Sequence, residues 1–422
     1  MYGVARDAST TLRVARPAAV HLVPMTQPAL SERAAPPRRA IARFVATVLA
    51  ILTTCWAVVG AAAAPVLPGG ASTAAAAWAL FTLVPLAVFI GTRTWRIYPG
   101  AVVRLLVFRP LWYAQFFVLL LAPLVVACAL VGLPFGAAGG AARGALAGGG
   151  ATLVLIALAG YAGSRRLDVR RLVVTLPGLP AGLEGLVVAQ ISDLHVGPHT
   201  PRRFLARVAD AARAAQPEII AVTGDLVDDF ARDADRYAAA FAGLRAPLGV
   251  FAIPGNHEVY SGWSELRARL EALPLTLLVN RSVILRRNGC SFAVAGTGDP
   301  AAAPGSEAAP DVERTLAEVP DGGFVLALAH NPALWPALAA RRVSLTLSGH
   351  THWGQLGWRR WGWCLASPFL ELAMGSHVRG PSALYIHPGT NYWGIPFRLG
   401  HAAEVAILTL RRGENPAIGD ET

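Results

Sequence analysis

Side chains that bind metals recur at five turns in the second half of the sequence. They lie in the blocks SDLHVG (192–197), GD (224–225), GNHE (255–258), AHNP (329–332) and GHTH (349–352). Each block supplies Asp, Asn or His beside a glycine or proline, and most follow an apolar run typical of a strand. Hard and borderline divalent metals prefer carboxylate, amide oxygen and imidazole ligands. Seven such side chains are enough to hold two metals, which indicates a hydrolytic site.

The spacing inside the blocks supports this interpretation. Asp193 and His195 are two residues apart, as are His350 and His352, so both members of each pair project to one side of an extended strand end. Taken alone, the first pair is as often a turn aspartate and a surface histidine, and Asp225 is as often a helix N-cap. Five such coincidences in one order favour metal binding over these structural roles.

The elements that position these blocks alternate in type from residue 167 onward. Strands are expected at 186–191, 219–223, 249–253, 277–279, 283–286, 292–297, 324–329, 345–348, 384–387 and 403–410, and helices at 201–215, 232–244 and 264–272. This pattern predicts a layered α/β fold with two packed sheets over 167–412. In such folds the ligand-bearing loops lie at the carboxyl ends of strands. Residues 413–422 are predicted to be a disordered tail.

The composition predicts membrane segments before this domain. Apolar residues make up 54% of the 422 residues and charged residues only 15%, which is unusual for a soluble enzyme. No charged residue occurs in 44–92, 110–142 or 144–164. We predict an all-α transmembrane region at 41–164, with helices near 44–64, 75–92, 111–134 and 146–163. The glycine-rich fourth segment leaves a short or re-entrant segment as an alternative. Residues 1–40 are predicted to be a disordered basic tail.

The arginines predict the orientation in the membrane. They cluster at 33, 38, 39 and 43, at 93, 96, 104 and 109, and at 165, 166, 170 and 171, whereas the other two loops carry only Arg143. Because positive residues favour the cytoplasmic side, we predict a multi-pass inner-membrane protein with a cytoplasmic C-terminal domain. The net charge of +11 then indicates attraction to an anionic leaflet, and no nucleic-acid partner is expected.

The five blocks resemble the pattern of the calcineurin-like metallophosphoesterases, which is D-x-H, GD, GNH-D/E, a single His, and GHxH. The resemblance covers roughly 186–410 and implies a four-layer α-β-β-α sandwich. The ending WGIPFR (393–398) followed by Glu404 resembles the bacterial membrane-associated branch, which includes phosphodiesterases and UDP-2,3-diacylglucosamine pyrophosphatases. The sequence departs from that branch at Trp353, where glycine is usual, and at Glu258, where aspartate is commoner.

The resemblance also implies a role for each site residue. The first metal would be bound by Asp193, His195 and His352, and the second by Asn256, His330 and His350, with Asp225 bridging both. His257 would protonate the leaving oxygen or stabilise the transition state, and Glu258 either orients His257 or simply begins a helix. The two divalent ions would be Mn, Fe or Zn, with Mn expected in vitro, and would activate a water molecule.

These observations predict a membrane-anchored dimetal phosphoesterase that hydrolyses a phosphodiester or pyrophosphate bond, with a lipid or nucleotide-lipid as substrate. Glu258, Trp353 and His377 are candidates for substrate contact or for support of the ligands. The segment WRRWGW (358–363) is typical of either a membrane interface or an aromatic packing cluster. Two alternatives are a tethered phosphodiesterase for soluble substrates, of cyclic-nucleotide or nuclease type, and a catalytically silent membrane scaffold. The intact set of ligands speaks against silence.

Overall fold

The structure, a computed structural model, describes residues 38–95 and 98–421, so most of the predicted basic tail lies outside it. Its first part is helical: α1 (Arg38–Ala63), α2 (Ala71–Trp95), α3 (Ala101–Val103), α4 (Arg109–Gly132) and α5 (Ala138–Ser164). A π-helical turn joins α3 to α4. Four stretches are long and apolar enough to cross a membrane: Ala46–Val66, Ala71–Val88, Ala101–Phe135 and Ala138–Ser164. The expectation of four apolar helices is thus confirmed.

The fourth helix is continuous in spite of its glycines. At ~1.5 Å per residue, the 27 residues of α5 extend over about 40 Å, which exceeds the hydrocarbon thickness of a bilayer. A Cβ atom on Gly149 would lie 2.7 Å from Leu124 Cδ2. The glycine therefore permits close packing of α5 on α4, as small residues do between membrane helices. The structure favours a full span over a re-entrant segment.

A buried amide joins three of the membrane helices. Trp56 Nε1 of α1 donates a hydrogen bond to Gln115 Oε1 of α4 over 3.0 Å, and the Gln115 amide donates to the Phe81 carbonyl of α2. The rings of Trp56 and Phe81 stack with centroids 4.4 Å apart. Polar groups are tolerated at membrane depth when their partners are supplied internally. Gln115 therefore specifies how α1, α2 and α4 pack.

The second part contains fifteen strands and six helices within the described residues. The strands are β1 (Leu167–Leu176), β2 (Val187–Ile191), β3 (Ile219–Thr223), β4 (Val250–Ile253), β5 (Thr276–Leu277), β6 (Arg281–Arg287), β7 (Cys290–Gly296), β8 (Val325–Leu328), β9 (Leu345–Ser348), β10 (Gly357–Trp358), β11 (Trp363–Cys364), β12 (Gly375–Arg379), β13 (Ser382–Ile386), β14 (Ala403–Arg412) and β15 (Ala417–Asp420). The helices are α6 (Arg202–Ala214), α7 (Ala234–Phe241), α8 (Asn256–Tyr260), α9 (Trp263–Glu271), α10 (Val312–Leu316) and α11 (Trp335–Ala340).

Two large sheets form the centre of this domain. Their strand orders are β15-β1-β14-β2-β3-β4-β5 and β12-β13-β9-β8-β7-β6. Along β3, Ile220 packs toward the layer of α6, α7 and α9, whereas Ile219 packs toward the second sheet, as the two-residue period of a strand requires. Beyond the second sheet, Ala327 packs with Leu338 of α11. The order helix, sheet, sheet, helix confirms the predicted layered α/β sandwich.

Five strands were not anticipated from the sequence, and two of them belong to the first sheet: β1 and β15, besides β10, β11 and β12. β1 received no strand assignment, yet it pairs with β14 over its whole length. The tail predicted to be disordered at 413–422 contains β15, which pairs antiparallel with β1. Asp420 of β15 accepts two hydrogen bonds from Arg170 of β1, at 2.5 and 2.9 Å. This ion pair joins residues 250 positions apart, so a short polar segment gives no local signal for it.

The domain packs directly against the ends of the membrane helices. Phe397 is buried between Phe116 and Phe117 of α4, with both centroid distances at 5.8 Å. The backbone N–H of Arg398 donates to the Gly160 carbonyl of α5 over 2.9 Å. A Cβ atom on Gly163 would overlap the Arg398 carbonyl oxygen. The WGIPFR segment is therefore a docking segment that holds the domain on α4 and α5.

Replacement of Gly163 by alanine tests this docking. We expect Gly163→Ala to lower the free energy of unfolding by about 1–3 kcal/mol, because a clash with backbone cannot be relieved by rotating a side chain. Gly148→Ala in the same helix is the control, since its Cβ would meet nothing within 4 Å. Thermal unfolding of the detergent-purified protein measures both. Equal stability of the two variants would contradict the described packing.

Candidate metal centre

The five blocks come together at one edge of the sandwich. Asp193, Asp225 and Asn256 follow the parallel strands β2, β3 and β4, and His330 and His350 follow the parallel strands β8 and β9. The carboxyl ends of the two sheets therefore face the same site. Three groups of acidic and histidine side chains have potential ligand atoms within 4.8 Å of one another: Asp193, His195 and His352; His195, Asp225 and His257; and Asp193, Asp225 and His330.

The backbone of the ligand turns is strained. Five of the seven candidate ligands have positive φ angles, namely Asp193 (54°), His195 (41°), Asp225 (51°), His350 (71°) and His352 (47°). This left-handed region is uncommon for residues other than glycine. Such strain persists only where the surroundings impose it, and it concentrates at functional sites. It is an observation from the backbone that supports the site independently of residue type.

The first set of donors converges on a common point. His195 Nε2 lies 2.9 Å from His352 Nε2 and 3.6 Å from Asp225 Oδ2. Asp193 Oδ1 lies 3.4 Å from His352 Nε2. Donor atoms that each sit roughly 2.1 Å from one ion are separated by about 3.0–3.4 Å. The spacing of these four side chains fits a single divalent ion.

The second set adjoins the first through Asp225. Its Oδ2 atom lies 3.3 Å from His330 Nε2 and, as noted, 3.6 Å from His195 Nε2. Asn256 Oδ1 lies 3.2 Å from His330 Nε2 and 2.7 Å from His350 Nδ1. One carboxylate oxygen thus stands between two groups of donors, which is the arrangement that a bridging ligand requires.

A buried oxygen of Asp193 is among the polar atoms that have no hydrogen-bond partner in the described part of the chain. Asp193 Oδ2 is inaccessible to solvent and accepts no hydrogen bond, whereas its Oδ1 atom accepts the backbone N–H of His350 over 2.9 Å. Leaving a buried acceptor unsatisfied costs free energy. A cation bound beside Asp193 removes that cost, so the residues present fit a metal.

The protonation states of the histidines also suit metal binding. Burial lowers the pKa of His350 to about 4 and holds that of His352 well below its usual range. Both rings are therefore neutral at pH 7, which is the form that binds metal. Burial would raise the pKa of Asp225, but the neighbouring His330 and His257 outweigh it and keep Asp225 anionic. Burial lowers the pKa of His330, but the charge of Asp225 outweighs it and raises that pKa well above its usual range. Binding of a metal to His330 would therefore displace a proton.

His257 lies beside the donor sets at the start of α8. Its Nδ1 atom lies 2.5 Å from the carbonyl oxygen of Asp228, so this nitrogen carries the proton and donates it. With Nδ1 assigned as the donor to this carbonyl, Nε2 is the ring nitrogen that is left for other chemistry. Its backbone N–H donates to Asp225 Oδ1 over 2.9 Å, and its ring meets His195 edge-on at 4.5 Å. This placement suits a general acid more than a ligand.

Glu258 caps the start of α8, which is one of its two predicted roles, and it also holds a second turn. It is fully buried, and its carboxylate accepts backbone N–H groups from Asp225 (2.8 Å), Leu226 (2.8 Å), Val227 (3.1 Å) and Gly255 (2.7 Å). Burial and the charge of Asp225 raise the pKa of Glu258 to about 7. Glu258 therefore fixes the turn that carries Asp225, instead of touching the ring of His257.

Trp353 takes the supporting role among its two predicted ones, whereas His377 lies away from the site. Trp353 is 0% exposed, its Nε1–H donates to the Ile386 carbonyl over 3.0 Å, and the Arg359 guanidinium covers its ring at 4.2 Å. A fully buried indole cannot contact a substrate, so it supports the His352 turn from behind. His377 lies on β12 at the far edge of the second sheet, 3.1 Å from the Met374 carbonyl.

Two contributors escaped the sequence analysis. Asp228 Oδ1 lies 3.5 Å from His195 Nδ1, while its carbonyl holds His257. The signal was present, because Asp228 follows Asp225 by three residues in the same turn. Asn391 donates from its backbone to the Asp193 carbonyl over 3.1 Å and from Nδ2 to the Leu194 carbonyl over 2.8 Å. It lies about 200 residues away, so no local pattern indicates it.

Known proteins are similar in sequence to this part of the chain. Residues 186–354 match the calcineurin-like phosphoesterase family. The chain is 31% identical over 242 residues to a putative metallophosphoesterase of Caenorhabditis elegans, covering 53% of this chain and 48% of that protein. It is 32% identical over 248 residues to a transmembrane protein with metallophosphoesterase domain of Danio rerio, covering 56% and 55%. It is 29% identical over 252 residues to an uncharacterized metallophosphoesterase of Helicobacter pylori, covering 59% and 65%.

The chain therefore spans only 48% to 65% of the length of these relatives. Within that range, the family match and the names of the relatives support the calcineurin-like metallophosphoesterase superfamily and a metal-dependent phosphoester hydrolase. They also agree with divalent metals at the grouped ligands, without distinguishing one metal from another.

The buried carboxylate of Glu258 can be tested by an isosteric change. We expect Glu258→Gln to destabilise the domain by about 1–3 kcal/mol and to reduce the bound metal, because an amide cannot accept all four backbone N–H groups. Glu265→Gln on the surface of α9 is the control and should change stability by less than about 0.5 kcal/mol. Chemical unfolding and metal analysis give the two readouts. Full metal content in Glu258→Gln would show that this residue does not hold the Asp225 turn.

Proposed function

We propose that this chain, whose residues 186–354 match the calcineurin-like phosphoesterases, hydrolyses a phosphodiester or pyrophosphate bond with two divalent metals. The ligands would be Asp193, His195 and His352 for one ion and Asn256, His330 and His350 for the other, bridged by Asp225. The observation that carries the proposal is the position of Asp225 Oδ2, 3.6 Å from His195 Nε2 and 3.3 Å from His330 Nε2.

The chemistry follows from this geometry. Two divalent ions, when bound, lower the pKa of a shared water and offset charge on the phosphoryl oxygens. His257, when protonated on both ring nitrogens, would act as the general acid: the Asp228 carbonyl accepts Nδ1–H, and the Nε2 proton passes to the leaving oxygen. Because Asp225 Oδ1 accepts the His257 backbone N–H, the bridging carboxylate also positions the acid.

The donor set limits the choice of metal. Four imidazoles and three oxygen donors suit Fe and Zn more than Mg or Ca, and the carboxylate and amide oxygens also suit Mn. We propose Mn as the ion that supports activity in vitro.

The placement of the domain supports a cytoplasmic site on a multi-pass inner-membrane protein. Arg104, in the π-helical turn before α4, donates to the Pro198 carbonyl over 3.4 Å, and the Arg165 carbonyl at the end of α5 accepts from Arg207, also over 3.4 Å. The domain therefore contacts the arginine-rich ends of the helices. By the positive-inside rule, those ends face the cytoplasm.

Several features support a lipid or nucleotide-lipid substrate. Trp393 is 53% exposed, and its ring lies 6.0 Å from that of His257, so an apolar side chain borders the proposed acid. Trp361 and Trp363 are exposed on the β10–β11 hairpin. The Gly357 backbone N–H of this hairpin donates to the carbonyl of Leu399, the residue directly after the docking segment. Trp358 packs on both of these rings, which agrees with the aromatic packing cluster predicted for this segment. The exposure of the other two indoles supports the alternative prediction, a membrane interface, for the same hairpin. Exposed indoles suit the headgroup level of a bilayer.

The chemistry can be tested on detergent-purified protein with Mn²⁺. We expect turnover of a phosphodiester or of UDP-diacylglucosamine in excess of a phosphomonoester. Asp225→Asn should abolish turnover and lower the metal content, because it weakens the bridge. His257→Ala should reduce kcat about 10²- to 10⁴-fold with the metals retained, which is the usual contribution of a general acid. Two bound metals without turnover would favour a scaffold, and full activity of Asp225→Asn would refute the site.

The exposed indoles can be tested separately. We expect the double variant Trp361→Ser/Trp363→Ser to retain turnover of a small soluble phosphodiester but to lose activity on a lipid phosphodiester in vesicles, because only the lipid depends on the interface. Trp361→Phe/Trp363→Phe keeps the apolar surface and should behave as the parent. Parallel assays on the two substrates give the comparison. Equal loss on both substrates would assign the indoles to folding alone.

A further inference from the structure

A cavity of about 100 Å³ lies where the membrane helices meet the C-terminal domain. Its walls come from three helices and from the docking segment, and its cationic residues are Arg109 of α4, Arg165 beyond α5, and Arg203 and Arg207 of α6. We call the space that these four residues line the arginine cavity. No aspartate or glutamate lines it in the part of the chain that the structure describes. Arg165, Arg203 and Arg207 are exposed and Arg109 is half-buried, so the cavity opens to solvent and its cationic groups can meet an anion from outside.

The residue type indicates which anion fits. A guanidinium presents a planar fork of donors that matches phosphate oxygens in pairs. Two of the four arginines are placed by contacts within the cavity: Arg165 Nη1 donates to the Tyr161 hydroxyl over 3.2 Å, and Arg207 Nη1 donates to the Arg165 carbonyl over 3.4 Å. These contacts use few of the available donors. The remaining N–H groups are free to bind a phosphate.

The location indicates the source of the phosphate. Arg109 begins α4, and Arg165 directly follows the end of α5. Arg165 thus stands at the end of an apolar stretch, and Arg109 lies directly before the span predicted at 111–134, although the helix itself continues back to Ala101. Tyr161 and Tyr392 add aromatic walls, which also suit this depth. Among anions that carry phosphate, the one present at this level of the protein is the headgroup of an anionic lipid.

The cavity also adjoins the proposed metal centre. His199 lines it, and its Nδ1 atom lies 3.8 Å from Asp228 Oδ2. The other oxygen of Asp228 lies 3.5 Å from His195 Nδ1. Asn391, which also lines the cavity, donates its backbone N–H to the Asp193 carbonyl. A headgroup held by the arginines is therefore separated from His195 by two side chains, His199 and Asp228, and from Asp193 by one residue, Asn391.

We propose that the arginine cavity binds the phosphate-bearing headgroup of an anionic membrane lipid. Its use in substrate selection rests on the proposed function, in which the lipid presents a second phosphate to the metals. Binding of the headgroup itself does not depend on turnover. The cavity thereby gives the membrane helices a part in recognition beyond anchoring the domain.

Binding can be measured without catalysis, on full-length detergent-purified protein in EDTA. The probe is dihexanoyl phosphatidic acid, with dihexanoyl phosphatidylcholine as the zwitterionic comparison and glycerol 3-phosphate as the soluble one. We expect the phosphatidic acid to bind and Arg203→Gln/Arg207→Gln to weaken it about tenfold or more, since charge-assisted hydrogen bonds are lost. Arg202→Gln/Arg213→Gln on the same helix removes equal charge outside the cavity and should bind as the parent does.

Each other outcome overturns part of the proposal. Equal weakening by both double variants would show that only net charge matters. Binding of glycerol 3-phosphate as tight as that of phosphatidic acid would assign the cavity to a soluble phosphate. No binding of phosphatidic acid to the parent protein, in a preparation that still hydrolyses a soluble diester with Mn²⁺, would refute the lipid site and leave the proposed function intact. Specific binding without any hydrolysis would do the reverse.

Discussion

Two buried carboxylates beside each other are the constraint on which the rest of the domain depends. Asp193 and Asp225 end neighbouring strands, and both are withdrawn from water. Burial, with the charge of Asp225 added, raises the pKa of Asp193, whereas the adjacent His330 and His257 keep that of Asp225 well below its usual range. Two anions in such a place require positive charge nearby. His330 after the second sheet and His257 after the first place imidazole beside them, and in the proposed function the metals supply further positive charge.

The strain in the ligand turns has identifiable supports. Left-handed backbone at a residue with a side chain costs on the order of 1–2 kcal/mol, and Asp225 adopts it while its neighbours donate N–H groups to Glu258. On the other side, a Cβ atom on Gly349 would overlap the side chains of Ser192 and Asp193. The glycine leaves the space that the carboxylate fills. The motif glycines are therefore as necessary to the geometry as the ligands.

The sequence was informative wherever a local pattern expresses a physical requirement. Uncharged apolar runs indicated the helices because a bilayer excludes charge, and strand-to-turn transitions indicated which side chains would meet because parallel strands end together. It was uninformative where a contact joins distant segments. Trp353 was a candidate for substrate contact or for support of the ligands, and the fold buries it under Arg359, which leaves only support. For Glu258 the sequence offered orientation of His257 or the start of a helix. It does cap that helix at Gly255, but its other three partners lie 31 to 33 residues earlier in the chain.

The docking segment shows why four helices do more than tether a domain. Asn391 holds the Asp193 carbonyl, Trp393 stands beside His257, and Phe397 is packed between two rings of α4. These contacts fall within seven residues, so the wall of the metal centre and the anchor on the membrane helices form one short segment. A shift of α4 or α5 relative to the sandwich must then move the residue that borders the proposed acid. A single flexible tether provides no such constraint. The contacts of residues 391–397 therefore couple the position of the helices to the wall of the proposed metal centre.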